Sequence, residues 1–291
     1  VGDPPKPLTF GVITLYDGDM SPAVDQRAVE SLLAFWADAG VEVSYADAPI
    51  DRLAEGVAML RAKSQPPPPP PPMRPGLAAV RGPDVGAAIA AAKAAAAACQ
   101  DLDSLAAAIA AFDGCSLKSQ GAKQAVFSRG VADAPLMIIG EGPGADEDAQ
   151  GAPFVGRAGK LLDRMLKAAG LEDRVFITNT VFWRPPGNRT PTPQEQAVCA
   201  PFVERAIALV KPKMLLLAGG ASAKAMLKRD EGILSMRGRW FEWLSEDKAT
   251  ELPAMPTLHP AFLLRTPAQK KKAWQDLLTL TERLDRPERP H

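Results

Sequence analysis

Apolar and polar positions follow two different patterns along this chain, and the change comes near residue 116. Beyond it, four short runs of continuous apolar, β-type character occupy Leu136–Gly140, Val175–Val181, Met214–Ala218 and Pro253–Leu258. Helical patterns fill the intervals at 158–169, 193–210, 221–228 and 268–284. Strands alternating with helices predict βαβ units and a largely parallel sheet. Such sheets place ligands at the carboxyl ends of their strands. Every unusual polar cluster in this half falls at one of those ends.

Ahead of residue 116 the pattern is different. Residues 8–16 (LTFGVITLY) have strand character without an assignable partner, and 24–38 read as an amphipathic helix with Val29, Leu32, Leu33 and Trp36 on one side. Pro66 to Pro72 are consecutive prolines, followed shortly by Pro75. That run predicts a stiff polyproline II spacer of roughly 22 Å. A semi-rigid linker is the plainer reading of it, and a ligand for a partner's aromatic groove is the alternative. Residues 84–112 are Ala-rich and helical by propensity, with Gly114 as a stop. The expected layout is therefore an N-terminal segment (1–65), a proline-rich linker (66–83), an Ala-rich helical segment (84–111) and one α/β domain (112–291).

Composition narrows the class. Of the 291 residues, 46% are hydrophobic and 23% charged, as in an ordinary globular protein. No run approaches the apolar length of a membrane span, and no secretory signal pattern is present, so a cytoplasmic protein is the expectation. The formal net charge is zero, yet residues 181–291 hold 18 Lys/Arg against 12 Asp/Glu. A locally basic face is compatible with nucleic acid, although a solvated charged surface is the plainer reading of it. The cysteines, Cys99, Cys115 and Cys199, are widely spaced and odd in number, which gives neither a disulfide framework nor a zinc pattern. Only His259 and the terminal His291 could add imidazole ligands, so no metal site is expected.

The candidate chemistry lies at the strand ends. The first strand ends in GEGPG, Gly140 to Gly144, a tight turn whose backbone can approach a ligand closely and whose Glu141 is held at its mouth. It is neither a phosphate-binding GK[ST] loop nor GxGxxG. Phe154, between Pro153 and Val155, offers a flat stacking surface or a core contact. Asn179 ends the second strand, where its carboxamide can present a donor and an acceptor to a base edge. Arg184, Asn188 and Arg189 follow, interleaved with prolines, as phosphate-seeking side chains on a stiffened loop. His259 opens HPAFLLR directly after the fourth strand.

The series GEGPG…ED…GAPFVGRAGKLL, then N….RPPGNRTP, then HPAFLLR resembles the family 4 uracil-DNA glycosylases over roughly residues 112–282. The resemblance implies a three-layer α/β/α fold with a central four-stranded parallel sheet and an N-terminal helical extension. It also implies roles. Glu141 would orient or activate water, and His259 would bind the carbonyl oxygen beside the bond being broken. Phe154 would stack on uracil and Asn179 would bond its edge, with Gly140, Gly142 and Glu147 lining the pocket. Arg184, Asn188, Arg189, Leu263 and Arg265 would meet DNA, Leu263 and its neighbours entering the space left by the extruded base. The implied partner is single- or double-stranded DNA containing uracil, acted on by a monomer, with a further protein partner conceivable through the N-terminal or proline-rich region.

Two departures shape the expectations. Family 4 enzymes normally hold a [4Fe–4S] cluster on four cysteines, and the matching positions here are Phe112, Cys115, Trp183 and Cys199. Thiolate clusters need four ligands. The expectation is therefore that no cofactor binds and that Phe112 and Trp183 fill the space. The serine usual after HP is Ala261. The segment Gly156–Leu162 also lacks the inserted loop by which a related branch bonds covalently to abasic DNA, so ordinary turnover is expected. The expected activity is hydrolysis of the N-glycosidic bond to leave an abasic site. The alternatives are a non-catalytic DNA- or uracil-binding module on the same fold and a glycosylase for another deaminated base.

Overall fold

The four apolar runs become strands because each is buried on both faces, which only a sheet covered by helices on two sides allows. A computed structural model of the chain describes residues 85–286. The chain divides into two units, Val1–Leu77 and Ala78–His291, and the described residues all belong to the second. The helix expected at 24–38, the strand-like stretch at 8–16 and the proline run lie outside the described residues.

In chain order the elements are α1 (Val85–Ala98), α2 (Leu102–Ala111), α3 (Ser116–Ser119), β1 (Arg129–Gly130), β2 (Leu136–Gly140), α4 (Ala145–Gln150), α5 (Arg157–Ala168) and β3 (Val175–Asn179). There follow a 3-10 turn (Pro186–Asn188), α6 (Pro193–Val210), β4 (Met214–Ala218), α7 (Gly220–Leu227), α8 (Ile233–Met236), β5 (Phe241–Leu244), β6 (Glu251–Thr257), α9 (Pro260–Arg265), a second 3-10 turn (Pro267–Gln269) and α10 (Lys270–Leu284). Among the described residues the strands form one six-stranded sheet in the order β1-β3-β2-β4-β6-β5. The four central strands are mutually parallel, as expected. Two antiparallel edge strands, β1 on β3 and β5 on β6, complete it. They escape the sequence pattern because β1 is two residues long and β5 alternates buried and exposed positions.

Alternation along each strand divides the core. Met137, Ile139, Phe176, Leu215 and Leu217 face a cluster with residues of α1, α2 and α6. Leu136, Ile138, Val175, Ile177 and Leu216 face the other way, against α5 and α10. This is the three-layer α/β/α arrangement. Each fully buried Leu or Ile contributes about 1.5–3 kcal/mol. The Ala-rich segment is two helices rather than one. Asp101 caps α2 in a reciprocal capping box with Ser104, and the backbone must leave the helical region there to do so.

Parallel pairing also positions the site. Gly140 is paired with Asn179 at the ends of β2 and β3, and Ala218 with Thr257 at the ends of β4 and β6. The loops carrying Glu141, Thr180, Gly219 and His259 therefore leave the sheet along one rim.

Candidate active site

Gly140 shows how closely the rim groups approach. A methyl group there would collide with Asn179 Oδ1 and with the tip of the Phe154 ring. Glycine at the end of β2 is thus required by two side chains arriving from different segments. Phe154 in turn lies against His259, with ring centroids 5.6 Å apart and planes 30° from parallel. On its far side His259 packs on Gly219, whose φ of 96° and missing side chain give the imidazole room. Phe154, Asn179 and His259, 25 and 80 residues apart in sequence order, therefore form one contiguous group. Glu141 joins the rim through its backbone: the Thr180 hydroxyl donates to its carbonyl at 2.6 Å.

His259 caps α9. The Ala261 N–H donates to His259 Nδ1 at 3.1 Å, so Nδ1 is an acceptor and the proton of the neutral ring resides on Nε2. Burial pushes the imidazole pKa down to about 4, and the charge of Arg265 adds to the effect while Glu147 opposes it. At neutral pH this side chain is an uncharged ring with a single N–H donor left over.

Phe154 is held in a backbone conformation that a bulky residue rarely adopts, with φ 55°. Its neighbours impose this. Arg129 donates to the carbonyls of Pro153 (2.8 Å) and Phe154 (3.3 Å) and is itself fixed by Asp163 at 2.6 Å. A side chain at Gly159 would run into the Phe154 carbonyl. Glu147 accepts from the N–H groups of Val155 (3.0 Å) and Gly156 (2.9 Å) with one oxygen and of Gly144 (3.1 Å) with the other. Both ends of the loop are pinned to one carboxylate. Glu147, expected to line a pocket, is occupied with holding the loop that presents Phe154. Arg129 and Thr180 were not legible as site residues, because one sits on a two-residue strand and the other beside the more conspicuous Asn179.

The proline-rich loop after β3 behaves differently. Arg189 forms a two-pronged pair with the nearly buried Glu195 (2.7 and 2.8 Å), whose carboxylate also receives the Thr192 N–H. The pairing with Arg189 holds the Glu195 carboxyl below its usual range. Arg189 thus ties the loop to α6, where the sequence pattern led us to expect a side chain free to seek phosphate. Arg184 donates to Asn188 Oδ1 at 2.7 Å. Gly142 lies close to Val181, Pro191 and Pro185, where it lets the two loops pack together.

Leu263 also requires correction. It is fully buried with Leu161, Leu258 and Ala273. HPAFLLR is a helix started by His259, and its fourth residue after the cap turns inward. Phe262 and Leu264 are the half-exposed apolar side chains of α9, and Arg265 is exposed on its last turn.

A parallel sheet whose carboxyl rim gathers an aromatic ring, a carboxamide and a neutral imidazole is an α/β site shaped for a flat, polar ring. The comparisons agree: residues 127–278 match the family described as the uracil DNA glycosylase superfamily, and the chain belongs to it. It is similar to the type-4 uracil-DNA glycosylase of Sulfurisphaera tokodaii, at 39% identity over 57% of this chain and 77% of that one. The type-4 uracil-DNA glycosylase of Thermotoga maritima is 39% identical over 48% of this chain and 71% of its own. That of Pyrobaculum aerophilum is 39% identical over 53% and 81%.

These relatives overturn the cofactor expectation. They are type-4 proteins, the class for which the motif resemblance implies a [4Fe–4S] cluster. The side chains at the matching positions fit a four-thiolate group only in part. Cys199 donates to Cys115 with the sulfurs 3.9 Å apart, and sharing that proton pulls the Cys115 thiol pKa down and pushes the Cys199 thiol up. Trp183 is buried in the same core cluster, and Phe112 packs on Phe202 at 5.1 Å. Among the described residues no three His, Cys, Asp or Glu side chains are grouped for a metal ion. Nor is any helix among the described residues long and apolar enough to cross a membrane.

Proposed function

We propose that this enzyme removes uracil from DNA by hydrolysing the N-glycosidic bond of a nucleotide turned out of the base stack, leaving an abasic site. The observation that carries the reading is the contiguous group of Phe154, Asn179 and His259 at the sheet rim, with the His259 Nε2 proton unspent. Phe154 would stack on the pyrimidine. Asn179, buried to 2% exposure at the end of β3, would offer its carboxamide to the base edge.

The bond that breaks is C1′–N1, and its electron pair leaves with uracil as an anion delocalised onto the carbonyl oxygens. The His259 N–H would donate to the oxygen beside N1. Because charge grows on that oxygen only as the bond breaks, a fixed donor stabilises the transition state more than the ground state. Glu141 would orient the water whose oxygen forms the new bond at C1′. That water's proton leaves to the carboxylate or to solvent. A neutral imidazole suits the donor role, since it carries no charge that must be desolvated before uracil arrives.

Extruding the base costs a few kcal/mol, least for an unpaired or mismatched nucleotide. Single-stranded uracil and U·G pairs should therefore react faster than U·A. None of the rim groups is a lysine, so no Schiff base forms and the strand should break only after added alkali or heat. Uracil release from single-stranded, U·G and U·A oligonucleotides tests the reading, with Glu141→Gln/His259→Ala as control. Release by the parent chain that the double variant loses supports it. Equal, background release by both would show a protein that binds without catalysis.

A further inference from the structure

We propose that a groove between α5 and α10, beside the rim, is a second DNA contact that takes the phosphates flanking the reacting nucleotide. The inference rests on the glycosylase reading and deepens it.

The groove encloses about 460 Å³, with Leu161, Met165 and Trp274 on its floor and Arg164, Lys270 and Lys271 around it. It adjoins the site through shared packing. Leu161 belongs to the same small cluster as Leu258 and Leu263, and α9, the helix that His259 caps, packs on α5. Arg157, Lys160 and Arg164 are all exposed on α5 at spacings of three and four residues, which places them on one face. From first to last they span ~10 Å of helix, the axial length of about three phosphates on one DNA strand.

Charge on this surface is uncompensated. The acid on the exposed part of α5, Asp163, is taken by Arg129, and Asp276 of α10 is buried in a pair with Arg237. Among the described residues, Arg157, Lys160, Arg164, Lys270 and Lys271 make no ion pair.

A second observation points the same way. Lys270, Lys271 and Lys272 open α10, a helix with no acidic residue in its first turn. Helix dipoles favour anions there and disfavour cations. Three consecutive lysines at that end oppose the fold's own preference, and a polyanion laid across them removes the conflict. DNA is the occupant that matches this chemistry: a chain of evenly spaced anions beside a half-buried indole that can support a sugar or base.

The test uses the full chain carrying Arg164→Ala, Lys270→Ala and Lys271→Ala together. Binding and uracil release are measured on a long single-stranded oligonucleotide and on a short one that ends near the uracil. With three cations removed from the phosphate path, the slope of log affinity against log salt on the long strand should fall by about two. KM on the long strand should rise several-fold, while kcat on the short strand stays at the parent value. Unchanged affinity and salt slope on the long strand would overturn the inference. Absence of uracil release by the parent chain would instead count against the proposed function, and the salt slope would still decide the groove.

Discussion

The loops after β2 and β3 leave neighbouring strands at the same rim, and both are rich in glycine, proline and charge. They use that charge in different ways. The loop after β2 is closed by Glu147, which accepts three backbone N–H groups, and by Arg129, which grips the Pro153 and Phe154 carbonyls. The result is an aromatic ring held in a strained conformation against Asn179 and His259. The loop after β3 directs its strongest cation, Arg189, onto Glu195 of its own following helix. Charge at a strand end therefore has two uses, presenting a side chain to a ligand or anchoring the loop. Only the partner distinguishes them, and the partner lies several residues away or on another segment.

This contrast is most exposed to challenge at its chemical centre. His259→Ala should lower the rate of uracil release by on the order of 10²–10³, the cost of removing one preorganised donor, while thermal unfolding shows the fold intact. A loss under tenfold would mean that the donor lies elsewhere. Next in size is Glu147→Gln, which replaces a carboxylate oxygen by an amide N–H2 facing other donors. Weakening one or two charge-assisted bonds should destabilise the chain by about 2 kcal/mol. It should also raise KM through the displaced Phe154, which steady-state kinetics and denaturant unfolding together would show. Parent-like values for both would remove Glu147 from its holding role.

Arg189→Ala should give the contrasting result, a lower Tm with uracil release and DNA salt dependence close to the parent. A strong loss of DNA affinity instead would support the phosphate-binding role that the sequence pattern suggests for Arg189. A subtler effect concerns pH dependence. Glu195 has a lowered pKa in the folded chain, so its contribution to stability is complete above the ordinary carboxylate pKa and is lost as pH falls through the lowered value. In Arg189→Ala that acid-range loss of stability should shrink, as read from Tm against pH.

Much of the fold was legible because its central strands are buried on both faces and read as unbroken apolar runs. The helix at 193–210 agrees at both ends, where Thr192 caps it and Lys211 leaves it in a left-handed conformation. The edge strands were not legible, since Phe241–Leu244 alternates like any half-exposed segment and Arg129–Gly130 is too short to carry a period. In the candidate site, Asn179 and His259 stood out because each lies at the carboxyl end of a strand. Leu263 was misread because the sequence shows an apolar residue in a loop-like motif but not the helix that turns it inward. Cys115 and Cys199 illustrate the remaining limit: their approach to 3.9 Å joins residues 84 positions apart, which no local pattern records.

The rim depends most on the state of one imidazole, and the chain holds only two histidines, His259 and His291. Nitrogen-15 NMR of the imidazoles across a pH titration would follow His259 directly. The structure predicts a neutral ring with its proton on Nε2 at pH 6, titrating near pH 4. A His259 that titrates like an exposed histidine, or that carries its neutral proton on Nδ1, would contradict the donor on which the proposed chemistry depends.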